Sequence, residues 1–140
     1  MTPPHRFFLI DDNAHDQLLA QEAFAELCPD CHLTSASSGR DALTMLSLAD
    51  DLPEVILLDV NMPGMNGFEV LQALKADPRL SLIPVVMLST SGASDDITAA
   101  YTLHASSYLI KANVFSEFLE QIESFLAYWR HCKLTSPVPS

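Results

Sequence analysis

The chain has 140 residues, with 18 acids against 7 bases and a formal net charge of −11. That length fits about one domain, and 49% hydrophobic residues suffice for one proper core. The acidic balance, with Lys and Arg scattered and no basic stripe, argues against nucleic acid and against anionic membrane surfaces as partners.

Apolar runs such as Val55-Ile56-Leu57-Leu58 are far shorter than the ~20 residues of a membrane span. The opening Met1-Thr2-Pro3-Pro4-His5-Arg6 has neither a long apolar run nor a cleavage pattern, so no secretory signal is expected. Along the chain, Arg6–Ile10 reads as a short apolar strand that stops at Asp11-Asp12. A helix is predicted over His15–Leu27, with Leu18, Leu19, Ala23, Phe24 and Leu27 near the helical period. Pro29 ends it. A second strand is expected over Cys31–Ala36 and a second helix over Ser38–Leu48, with Ala42, Leu43, Met45 and Leu46 apolar. Glu54–Leu58 is almost continuous Val/Ile/Leu, the composition of a parallel strand covered on both faces, and it stops at Asp59. Pro63-Gly64 and Asn66-Gly67 then read as loop.

Phe68–Ala76 is the third predicted helix and Pro84–Leu88 the fourth strand, with Pro at its first position, where a missing N–H is tolerated. Ser94-Asp95-Asp96 reads as an N-cap followed by first-turn acids, opening a helix to about Leu103. Ser107–Ile110 is the fifth strand. Val114–His131 is a long last helix whose apolar side carries Phe115, Phe118, Leu119, Ile122, Phe125, Leu126 and Trp129. A single domain is expected over residues 1–133. The tail, 134–140, is expected to fray, and no second domain is expected. Five strands alternating with five helices imply an α/β fold, a parallel sheet with helices on both faces.

In such sheets ligands bind past the carboxyl ends of the strands, where the strand order reverses. Asp11 and Asp12 follow strand one, Asp59 follows strand three, Ser89 and Thr90 follow strand four, and Lys111 follows strand five. With a flavodoxin-like order 2-1-3-4-5, three carboxylates share one crevice. Unrelieved, they would raise one another's pKa. A hard divalent cation such as Mg²⁺ resolves the repulsion and leaves positions for phosphate oxygens. Lys111 and Ser89 suit a group carrying about −2 near neutral pH.

These residues resemble the receiver domains of two-component response regulators, from about Arg6 to Trp129. The run Leu58-Asp59-Val60-Asn61-Met62-Pro63-Gly64-Met65-Asn66-Gly67 is similar to the family's phosphorylation loop nearly residue for residue. The resemblance implies that Asp59 accepts a phosphoryl group from a histidine kinase. It implies that Asp12, Asp59 and the backbone carbonyl of Asn61 ligate Mg²⁺, with Asp11 acting through water. It implies that Lys111 pairs with the phosphate, and that Ser89 and Tyr108 form a two-position switch. A protein of this family is a phosphoacceptor that promotes its own phosphotransfer and dephosphorylation rather than a conventional enzyme.

Pro84–Ser91, Asp95-Asp96-Ile97, Tyr101–His104, Tyr108–Lys111 and the aromatic stretch Ile122–Trp129 are similar to small phytochrome-associated response regulators. That subgroup implies a phytochrome-type kinase and a homodimer through the face of helix four, strand five and helix five. The family's Lys-Pro pair, joined by a cis bond, is here Lys111-Ala112. A cis bond before a non-proline residue costs about 3 kcal/mol, so a trans bond, or strain, is expected.

Blander readings compete. Asp11 and Asp12 alone could be a turn pair, Tyr108 a core aromatic and Lys111 a solvated charge. Cys28-Pro29-Asp30-Cys31 has redox spacing but follows a helix C-terminus, where the dipole opposes a thiolate. Three cysteines, an odd count, and no export signal suggest reduced thiols in a cytoplasmic protein. Among other functions, a phosphatase would need a second acid where Asn61 stands. A flavin carrier would not place acids in its first loop. A pseudo-receiver, a constitutive protein-binding module, has only Ala112 in its favour.

Overall fold

The computed structural model describes residues 5–89, 92–112 and 115–131, without the side chains of residues 115, 116, 118, 119 and 129–131. The expected tail, Thr90, the start of the last helix at Val114 and the packing of Trp129 lie outside the described residues. Strands β1 (Arg6–Ile10), β2 (His32–Ala36), β3 (Val55–Asp59), β4 (Val85–Ser89) and β5 (Ser107–Ile110) alternate with helices α1 (Ala14–Leu27), α2 (Gly39–Leu48), α3 (Gly67–Ala76), α4 (Ser94–Thr102) and α5 (Phe115–His131). All strand pairs are parallel, and the order is β2-β1-β3-β4-β5, as the flavodoxin-like reading requires.

Successive strand side chains face opposite sides of a sheet, and here each side is roofed. Phe8, Ile10, Ile56, Leu58 and Met87 pack with Ala42, Leu46, Val70, Leu71, Leu74 and Ala100, which come from α2, α3 and α4. Phe7, Leu9, Val55, Leu57, Val86 and Leu88 pack with Ala20, Ala23 and Phe24 of α1 and Ile122, Phe125 and Leu126 of α5. Phe7 meets Phe24 and Phe125 edge to face, with centroids 5.2 and 5.9 Å apart. Such pairs add about 0.5–1.5 kcal/mol each beyond their buried area. Every residue of β3 and β4 is buried, which explains their unbroken apolar sequences.

Among the described residues, the starts of α1 to α4 follow side-chain chemistry with one exception. Asn13 and Ser38 cap α1 and α2, and Asn66 with Glu69 forms a full capping box on α3. Ser94, expected as the N-cap of α4, is instead its first helical residue. Ala93 occupies the cap without a side-chain hydrogen bond, and Asp95 and Asp96 meet the helix dipole. At the other end His104 takes a left-handed φ of 67°. Ala105 donates to the Ala100 carbonyl and His104 to that of Tyr101, the Schellman pattern that closes a helix.

Two expected core positions are exposed. α1 rests on the sheet through Ala20, Ala23 and Phe24, and Leu18 points away from that stripe at 55% exposure. Met45 is likewise displaced from the Ala42–Leu46 stripe of α2. The cysteine expectation is overturned: Cys28 and Cys31 form a disulfide. The Pro29-Asp30 turn folds back so that the Cys31 N–H donates to the Cys28 carbonyl at 2.9 Å. That brings the two Cα atoms to 5.4 Å, within bridging distance. Sequence composition argued from redox compartment and did not weigh this local geometry.

No helix among the described residues is long and apolar enough to cross a membrane. The disulfide is checked by alkylation and intact mass without reductant, which should label Cys132 alone of the three cysteines. Reduction should cost no more than about 2 kcal/mol of stability, because the closed loop is only four residues long. Labelling of all three in air-oxidised protein would show that the bridge does not form.

Candidate functional site

The helices that follow β1 and β3 leave toward opposite faces of the sheet, so a crevice opens between the carboxyl ends of these neighbouring strands. Ile10 pairs with Leu58, and the residues one step further, Asp11 and Asp59, therefore end adjacent strands side by side. The Asp11 N–H donates to the Ala36 carbonyl at 3.1 Å and fixes the backbone there. Asp11 is 1% exposed and Asp59 7%, whereas Asp12 is exposed. One oxygen from each of the three carboxylates lies within 4.8 Å of the others. Such a set of hard oxygen donors fits a divalent cation of the Mg²⁺ type.

Electrostatics follows from this crowding. Burial, with the Asp11 charge second, pushes the Asp59 carboxyl up to about 7, against an ordinary value of 3.8. The charge of Lys111 and the Asn61 backbone N–H, 3.2 Å from Asp59 Oδ1, oppose that rise without cancelling it. Lys111 Nζ donates to Asp11 Oδ2 at 2.8 Å and to Asp16 Oδ2 at 2.7 Å. Burial pulls the lysine pKa down, but these two bonds together with the charges of Asp11 and Asp59 outweigh it and the net shift is upward. Lys111 therefore stays charged, and a divalent cation would relieve the negative charge that remains.

The sequence-predicted residues converge here. Ser89 ends β4 fully buried, and its Oγ accepts from Asn61 Nδ2 at 3.2 Å. Tyr108 pairs with Met87 in the sheet and packs, half-buried, against the α2–α4 layer. The Lys111–Ala112 bond is trans. Beside the site, a cavity of about 400 Å³ opens between the β3–α3 loop and Asp96 of α4, with Asn61 in its lining.

Three contributors escaped the sequence reading. Asp16 was visible only as a first-turn acid, with nothing to say that it would reach Lys111 from the far end of the chain. The Gln17 amide donates to the Asp11 carbonyl at 2.5 Å and to Ser37 Oγ at 3.1 Å, tying the β1 loop to the β2 loop. Gly67 read as turn chemistry, but it opens α3 directly beneath Asp59. A Cβ there would lie 2.4 Å from the Asp59 carbonyl oxygen and 2.7 Å from Val60 Cα.

Both obstacles at Gly67 are backbone atoms, so Gly67→Ala should destabilise by about 1–3 kcal/mol, read as a lower denaturant midpoint. Asp59 supplies a pH test. Its folded pKa lies above its unfolded one, so between about pH 4 and 7 the folded state binds more protons than the unfolded state. Stability contributed by the protonated form is complete below about pH 4 and lost as pH rises through 7. Without divalent cations, wild type should therefore lose stability relative to Asp59→Asn between pH 5 and 8, by an amount on the order of 1 kcal/mol or more. Millimolar Mg²⁺ should reduce the gap. A gap independent of pH would contradict the electrostatics described.

Comparison with known proteins agrees with this geometry. Residues 7–123 match the family model of the response regulator receiver domain. The chain is 33% identical over 132 residues to response regulator Rcp1 of Synechocystis sp. (strain ATCC 27184 / PCC 6803 / Kazusa), covering 91% of this chain and 90% of that protein. It is 36% identical over 130 residues to the probable methanogenesis regulatory protein FilR2 of Methanothrix harundinacea (strain 6Ac), covering 90% and 84%. Among solved structures, the phosphorylated cyanobacterial phytochrome response regulator RcpA superposes with a TM-score of 0.88 at 34% identity over 95% of this chain and 99% of that one. The Mn²⁺-bound form of Rcp1 gives 0.85 at 32% identity, covering 95% of this chain and 100% of that one. With the fold, the acidic crevice and the matched span in agreement, the chain belongs to the response regulator receiver domain family.

Proposed function

We propose that Asp59 is the phosphoacceptor of a histidine kinase and that the chain works as a phosphorylation-controlled switch. The observation that carries this reading is the placement of Asp59. It stands at the end of β3 in one carboxylate cluster with Asp11 and Asp12 and is opposed by the Lys111 charge. In the proposed step an Asp59 carboxylate oxygen attacks the phosphorus of a phosphohistidine. The N–P bond breaks, and the imidazole leaves and takes up a proton.

Asp12, Asp59 and the backbone carbonyl of Asn61 would hold Mg²⁺, with Asp11 acting through water. When bound, the cation offsets the carboxylate charge and orients phosphoryl oxygens. Lys111 would pair with the incoming group. Ser89 would turn to hydrogen-bond it, and Tyr108 would follow into the vacated space. The metal assignment draws support from the Mn²⁺-bound form of Rcp1. A phytochrome-type kinase as donor draws support from the likeness to the phytochrome response regulator RcpA.

The output face would be α4, β5 and α5, pairing two copies of the chain. Tyr101, Ile110 and Tyr128, one on each of these elements, are at least half exposed, a concentration of apolar surface that suits an interface. Against a pseudo-receiver stands Lys111, which reaches Asp11 at 2.8 Å although no proline follows it.

Acetyl phosphate with Mg²⁺ should add one phosphoryl mass to the intact protein, and Asp59→Asn or removal of Mg²⁺ should abolish the adduct. Size-exclusion chromatography of the phosphorylated sample should show a shift toward dimer. If no adduct forms with the small donor or a phytochrome-type kinase, and titration detects no Mg²⁺ binding, the pseudo-receiver reading replaces this one.

A further inference from the structure

β5 is an edge strand, and the residues flanking Lys111 present backbone groups to its unpaired side. Lys111 itself turns inward: its N–H donates to the Ser89 carbonyl at 2.6 Å, continuing the β4–β5 ladder. Alternation along the strand directs the Ile110 carbonyl and the Ala112 N–H outward, where a sixth strand would lie. No sixth strand lies there among the described residues, but Gln121 of α5 meets both groups. Its Oε1 accepts from the Ala112 N–H at 3.0 Å, and its Nε2 donates to the Ile110 carbonyl at 2.6 Å. One residue of a parallel neighbour would present the same pair, a donor to residue 110 and an acceptor to residue 112. The side-chain amide thus does locally what a strand would do.

The bond from Ala112 to Gln121 Oε1 exists only because residue 112 has an N–H. A proline there could not donate. We infer that Gln121 is a positioning residue: its amide clamps the backbone on both sides of Lys111, fixing the loop that proline would otherwise stiffen and tying the placement of the lysine to α5. The inference rests on the phosphoacceptor reading above, since it concerns the lysine that would meet the phosphoryl group. It also gives the α5 face a direct mechanical connection to the site. A partner that displaced α5 would pull on the two peptides around Lys111.

The test is a double-mutant cycle on the rate of adduct formation with acetyl phosphate and Mg²⁺. Gln121→Ala should slow wild-type phosphorylation by roughly tenfold, the scale of losing one or two hydrogen bonds. Gln121→Glu, which keeps the acceptor and loses the donor, should fall between the two. In a Lys111→Ala background Gln121→Ala should change the rate less than about twofold, because residues acting through one another are non-additive. Amide exchange of unphosphorylated protein should show faster exchange at Ala112 in Gln121→Ala, with the β1–β3 amides unaltered. An equal loss in both backgrounds, or no loss in wild type, overturns the clamp while leaving the phosphoacceptor reading intact. Absence of any wild-type adduct overturns both.

Discussion

Two carboxylates, Asp11 and Asp59, lie almost wholly buried at the ends of adjacent strands, with Asp12 beside them. Water cannot stabilise the buried pair, and the Asp11 charge raises the cost of ionising Asp59. The protein meets that cost with Lys111, delivered from the opposite end of the sequence, and leaves it incompletely met, as the elevated Asp59 pKa records. An acidic crevice with surplus negative charge and a fixed ammonium group is poised for a cation and then for a phosphoryl group. The remainder of the fold can be understood as the means of holding these groups against their repulsion.

The sheet order does most of that holding. Because β1 and β3 are neighbours in register, their terminal acids cannot move apart without breaking the ladder. The two roofing layers bury β3 and β4 completely, so the strands have no freedom to slide. Gly67 allows α3 to begin against the backbone of Asp59, and the capping box of Asn66 and Glu69 fixes where it begins. Lys111 is secured at both ends. Its ammonium group binds Asp11 and Asp16, and its N–H lies in the β4–β5 ladder. Asp16 is a second acceptor for the same ammonium group.

Much of this was legible in the chain itself. The ten elements, their alternation and the residues past each strand follow from short apolar runs ending in polar residues, because local periodicity is a property of adjacent residues. The resemblance to receiver domains then supplied roles, and Asp11, Asp12, Asp59, Ser89 and Lys111 do lie at or just past the strand ends where the motif order puts them. Local rules failed where two segments compete or a turn closes. Ser94 is a good capping residue, but Ala93 has the extended backbone that the cap requires. Cys28 and Cys31 looked like separate thiols until the Pro29-Asp30 turn brought them together.

What the sequence by itself determined was the alternating α/β pattern, a parallel sheet buried on both faces and an acidic cluster expecting a positive counterpart. These depend on hydrophobic period and residue chemistry, which are readable in one dimension. Only the tertiary structure decided which partners each charge has. Asp16 and Lys111 are 95 residues apart in sequence yet 2.7 Å apart in space, and Gln121 finds the free edge of β5 because α5 packs beside it. Contacts of that kind depend on how helices settle on a twisted sheet, and no spacing within a single segment encodes them.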